Sequence, residues 1–62
     1  MIDLGMLREK AEAELDFDYV ESEGADVLRF DRGAMSVWVY ANGEVDGDAR
    51  LTVKLKRIAA TL

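Results

Sequence analysis

Cysteine, histidine and proline are all missing from this chain of 62 residues. Without cysteine there is no disulfide, no thiolate metal site and no thiol nucleophile. Without histidine the chain lacks the commonest general base and the commonest transition-metal ligand. Cations are in short supply too: eight Lys and Arg face thirteen Asp and Glu, for a net charge of −5. An acidic chain gains little from neutralising phosphates, so direct, non-specific binding of nucleic acid is not expected. No apolar run approaches the ~20 residues that span a bilayer, so no membrane partner is expected. The five glycines are scattered, and neither GxGxxG nor GxxxxGK occurs to cradle a phosphate.

The remaining catalytic repertoire is carboxylates and two tyrosines. Glu21 and Asp31 are examples, but no spacing singles out one acidic pair. A cleft that encloses a substrate needs ~300 Å³ or more, a large demand on a core this small. The expectation is a protein that is not an enzyme and carries no cofactor or metal. The opening stretch MIDLGMLREK places an acid and a glycine where a signal peptide would have basic residues and an apolar core. A soluble cytoplasmic protein is expected.

Half of the residues are apolar, which suits a packed domain rather than a disordered one. Residues 1–62 read as one small domain. A domain of about 60 residues buries only about 60% of the surface its unfolded chain exposes. Stability must therefore come from good packing or from self-association. Charge is uneven along the chain. Residues 1–31 hold ten acids and three bases, net −7, and residues 32–62 hold five bases and three acids, net +2.

Leu4, Leu7, Ala11 and Leu15 recur at helical spacing, and Asp3 stands where an N-cap belongs, so residues 3–15 are expected to be helical. Ile2 and Leu7 occupy the positions of a hydrophobic staple. FDYVES (17–22), VLRFD (27–31) and AMSVWVY (34–40) read as strands. The turns between them fall at residues 23–26 and at Arg32-Gly33, and Asn42-Gly43 ends the third strand.

The last segment, DGDARLTVKLKRIAATL, carries two patterns. Leu51, Val53 and Leu55 alternate as in a strand, whereas Leu51, Leu55, Ile58, Ala59 and Leu62 form a helical stripe. Asp48 is a plausible N-cap, and Lys54, Lys56 and Arg57 lie toward the end that the helix dipole makes favourable for cations. Helix is the better fit, with Val53 out of place on it. The expected fold is a small α+β domain of order α-β-β-β-α, a three-stranded antiparallel meander with two helices packed on one face.

The stretch GAMSVWVYANG (33–43) does not alternate cleanly. Met35, Val37 and Val39 point one way, and Trp38 and Tyr40 the other. If the helices cover Val37 and Val39, they should also cover Leu28, Phe30 and Val20. The opposite face then carries Trp38, Tyr40, Val27 and Arg29, with Phe17 and Tyr19. A one-residue slip would reverse the faces and leave Met35, Val37 and Val39 open instead. Either way an apolar surface is left over, and such surfaces mark contact sites.

Trp38, Tyr40, Tyr19 and Arg29 are the candidate interface residues, being of types enriched where partners meet. A homodimer through this face would add the burial that a short chain lacks, although an ordinary core with strand 34–40 at its centre explains the same pattern. Glu14, Asp16, Asp18, Glu21, Glu23 and Asp26 make a second candidate. A row of carboxylates could imitate a nucleic-acid backbone and bind a basic surface of another protein as an inhibitor, or serve only to keep the chain soluble. A structural or assembly subunit is a third reading. NGEVDGD (42–48) loosely resembles a calcium loop through Asn42, Glu44, Asp46 and Gly47, but its twelfth position is Val53, which offers no ligand. Turn chemistry explains those residues without a metal. Arg50, Lys54, Lys56 and Arg57 fan around their helix as a solvated face rather than a nucleic-acid-reading one.

Overall fold

A computed structural model describes residues 1–62. The elements are helix α1 (Leu4–Glu14), strands β1 (Tyr19–Gly24), β2 (Val27–Arg32), β3 (Met35–Tyr40) and β4 (Val45–Gly47), and helix α2 (Ala49–Ala60). The strands form one antiparallel sheet in the order β1-β2-β3-β4. The fold is the expected small α+β domain, with a fourth strand added to the meander.

Both helices begin where a side chain can take up free amide groups. The Asp3 carboxylate accepts from the N–H groups of Gly5 at 2.9 Å and Met6 at 3.2 Å. The Asp48 carboxylate accepts from the Arg50 N–H at 3.0 Å and also grips the Arg50 guanidinium at 2.9 and 2.7 Å. Those contacts, the Arg50 side chain foremost, hold the Asp48 pKa down at about 2. The ambiguity over residues 48–62 resolves as helix. Leu51, Leu55 and Ile58 are buried along one stripe, and Val53 stands on the outer side with 60% of its surface exposed.

One core fills the space between the helices and the sheet. Leu7 and Ala11 of α1 and Leu51, Leu55 and Ile58 of α2 meet Leu28 and Phe30 of β2 and Val37 and Val39 of β3. These four strand residues share a face because Leu28 opposes Val39 and Phe30 opposes Val37. Val20, Met35 and Val45 pack at the margin of the same cluster. The helices thus cover the Val37/Val39 side.

Phe17 departs from the expected placement. It packs on the core with its ring 4.9 Å from that of Phe30, rather than joining Tyr19 on the opposite face. Strand alternation does not reach it, because β1 starts only at Tyr19. The Asp18 N–H donates to the Asp31 carbonyl, and the Asp18 carboxylate accepts from the Gly33 N–H at 2.6 Å. This lead-in is fastened to the β2–β3 turn, which leaves Phe17 free to turn inward.

Strand β4 is only three residues long, and its pairing is set by β3. Val45 opposes Val39 on the core side, Asp46 opposes Trp38, and Gly47 opposes Val37. Gly47 sits at φ +131, and a Cβ there would run into the Ser36 carbonyl oxygen and lie 2.8 Å from the Val37 Cα. Only glycine allows this approach. In the β3–β4 loop, Gly43 alone takes positive φ, while the Asn42 side chain accepts from the Glu44 N–H at 2.9 Å.

Candidate functional site

Cross-strand register places the side chains of the uncovered sheet face in three rows. Tyr19, Asp31 and Ser36 form one, Glu21, Arg29, Trp38 and Asp46 the next, and Val27 and Tyr40 the third. Trp38, Tyr40, Tyr19 and Arg29 come together on this face, with Val27, and of the two registers the sequence allowed it is the one that leaves Met35, Val37 and Val39 on the helix side. Neither helix lies on this side.

The face is nevertheless not bare. Tyr19 is 53% exposed, but Trp38 and Tyr40 are half-buried. The Arg29 guanidinium lies 5.3 Å from the centre of the Trp38 ring, a cation–π arrangement. A bulge between Ser22 and Gly24 marks the end of β1, and Glu23 sits within it. One Glu23 oxygen accepts from Arg29 at 3.3 Å, and the other accepts from the Trp38 indole N–H at 3.1 Å. Arg29 also donates to Asp31 at 3.1 Å, and Asp31 accepts from the Ser36 hydroxyl at 2.6 Å.

These contacts set the protonation of the face. Asp31 is held below the usual carboxylate range, first by the Ser36 hydroxyl and then by Arg29. Asp31 and Glu23 in turn raise the Arg29 pKa. The Tyr19 phenol is pushed up because it donates to the Glu21 carboxylate at 2.5 Å. Arg29 and Trp38 are thereby oriented from both sides, so the face presents a fixed aromatic centre ringed by carboxylates. Glu21, Glu23, Asp31 and Asp46 against Arg29 leave it at net −3.

The row of acids anticipated between residues 14 and 26 is broken up. Glu14 ends α1, Asp16 and Asp18 precede β1, and Asp26 lies in the β1–β2 turn. Only Glu21 and Glu23 stand on the strand, and they belong to the aromatic face. Regular spacing fails because the pleat begins at Tyr19 and is shifted again by the bulge. Sequence reasoning missed Asp31, Ser36 and Asp46 as parts of the site. The first two were legible, since 27, 29 and 31 and 36, 38 and 40 share a parity; Asp46 was not, for want of β4.

Two depressions mark the surface, one at the β4 edge of the sheet and one between the helices. An open one of about 400 Å³ is lined by Tyr40, Gly43, Glu44, Val45, Asp46 and Lys56. A smaller one of about 170 Å³ lies between the helices, with Glu14, Lys54 and Arg57 at its rim. The calcium-like residues diverge: Asn42 is used within its own loop and Asp46 points to the open face. No group of three or more Asp or Glu side chains is arranged to hold a metal ion. No helix is long and apolar enough to cross a membrane. No family model matches the chain, and no curated protein or solved structure matches it either.

Proposed function

We propose that this protein works by contact rather than by catalysis, as a small cytoplasmic module that self-associates through the uncovered face of its sheet. The observation that carries this reading is the aromatic centre itself. Trp38, Tyr40, Tyr19 and Val27 occupy a sheet face without a helical layer, in a chain of 62 residues. Trp, Tyr and Arg are the side chains that most often anchor protein contacts. Arg29 and Glu23 hold the indole in one orientation, so little rotamer freedom remains to be lost on binding.

Light scattering on a sizing column tests the reading. The wild type should show a mass above 6.9 kDa that rises with concentration. Trp38→Ala with Tyr40→Ala should return it to a monomer whose circular dichroism is still that of a folded protein. A wild type that stays monomeric at millimolar concentration refutes self-association.

A second reading has the net charge of the face in its favour, namely an acidic inhibitor that binds a basic surface of another protein. Salt separates the two only in part, because charge contributes to both. Capture of a basic partner by a strictly monomeric wild type would select the second.

A further inference from the structure

Helix α2 and the open sheet face carry opposite charge. The open sheet face is net −3, as described above. Helix α2 has no acid in Ala49–Ala60 and carries Arg50, Lys54, Lys56 and Arg57. Arg50 is held by Asp48 through a 2.7 Å ion pair, and the other three cations have no ion-pair partner. Because the helices pack on one side of the sheet, the Val53 side of α2 and the open sheet face look in opposite directions, while Lys56 stands at the sheet edge and lines one depression with Tyr40 and Asp46.

The outer surface of α2 is also not purely polar. At about 100° per residue, Ala49, Val53 and Ala60 fall together within about 40°, opposite the buried Leu51, Leu55 and Ile58. All three are exposed, Val53 to 60%. Lys56 flanks this strip on one side and Arg57 on the other. An apolar ridge bordered by cations on one side of the molecule thus matches an aromatic centre bordered by carboxylates on the other. Packing two sheet faces together would instead bring −3 against −3.

We infer that the outer face of α2 of a second copy seats on the open sheet face, head to tail, with Val53 against Trp38 and Tyr40 and with Lys56 and Arg57 among Glu21 and Asp46. This rests on the self-association proposed above and names its mode. Four strands ~4.8 Å apart and up to six residues long at ~3.4 Å each bound the contact at roughly 400 Å² on each copy. That total of about 800 Å² is below the standard interface size, so the association is weak. The contact does not close on itself by a two-fold axis, so each added copy presents a free sheet face at one end and a free helix at the other.

Sedimentation equilibrium on charge-reversed full-length chains tests this. One variant carries Glu21→Lys with Asp46→Lys, and the other carries Lys56→Glu with Arg57→Glu. Each alone should weaken self-association by about tenfold or more at ~20 mM salt, where screening is slight. An equimolar mixture of the two should recover the wild-type mass distribution, extending beyond a dimer. Val53→Asp should weaken association to a similar degree while leaving the thermal unfolding midpoint of the monomer nearly unchanged, since Val53 is exposed. If the sheet-face variant associates more strongly, the helix variant behaves as wild type and mass stops at a dimer, the sheet faces pack on each other. That result overturns the head-to-tail mode and leaves self-association standing. A wild type that never exceeds monomer mass overturns both.

Discussion

Replacing Gly47 with alanine should be the most damaging single-methyl change in this protein. Gly47 has φ +131, where an L side chain is strained by about 1–3 kcal/mol. The added Cβ would also press on the Ser36 carbonyl and lie 2.8 Å from the Val37 Cα, both backbone atoms of β3 that cannot rotate aside. β4 must then move off β3. The movement strains the 3.0 Å hydrogen bond from the Asp48 N–H to the Ser36 carbonyl and loosens Val45 on the core. A buried backbone group left without its partner costs about 1–3 kcal/mol more. The total is about 2–6 kcal/mol, against a stability of roughly 3–9 kcal/mol for a domain of this length. Gly43→Ala supplies the control, since φ there is +95 but nothing lies within 4 Å of the added Cβ. It should cost only the conformational part, about 1–3 kcal/mol. Urea unfolding followed by circular dichroism at 222 nm reads both. Equal midpoints for Gly47→Ala and Gly43→Ala would refute the account of how β4 is seated.

Further outcomes follow from the core, the cap and the open face. Phe30→Ala should cost about 3–5 kcal/mol because its ring is fully buried. Phe17→Ala should cost less, yet clearly more than the change of an exposed side chain such as Val53→Ala, and equal losses for Phe17→Ala and Val53→Ala in urea would return Phe17 to the surface. Asp48 has its folded-state pKa depressed from 3.8 to about 2, so its contribution to stability is complete above about pH 4 and is lost as pH falls through 2. Asp48→Asn should flatten the acid limb of the stability–pH curve in that window, and an unchanged limb would argue against the cap. Tyr19, with its pKa raised by the Glu21 carboxylate, should ionise above the ordinary tyrosine range in an absorbance titration, and Glu21→Gln should bring it back down.

Much of this molecule is readable from residue order, and the limits have physical causes. Asp3 and Asp48 announce the helices because a carboxylate before an apolar stripe has a defined task at a helix start. The face assignment of Val37 and Val39 against Trp38 and Tyr40 follows from strand alternation alone. Val53 was ambiguous because a β-branched apolar residue between Leu51 and Leu55 completes a strand pattern as well as an exposed helical position. β4 was hidden because three residues with one apolar side chain carry no periodicity; the neighbouring strand, not local propensity, decides that they pair. Phe17 was misplaced because alternation was extended two residues before the pleat begins. The polar partners of the aromatic face were only half legible. Arg29 over Trp38 follows from register, whereas the reach of Glu23 to the indole N–H depends on the bulge beside Gly24.

The open sheet face as the working surface, met by α2 of another copy, is tested most directly by nuclear magnetic resonance. An amide and indole chemical-shift series over a wide concentration range at low salt would be recorded on uniformly labelled protein. The predicted result is concentration-dependent movement in two separate groups, the Trp38 indole with Tyr19 and Arg29 on the sheet face, and Val53 with Arg57 on the outer side of α2. Movement confined to the sheet-face group would contradict the head-to-tail contact, and a spectrum that does not change with concentration would contradict self-association itself.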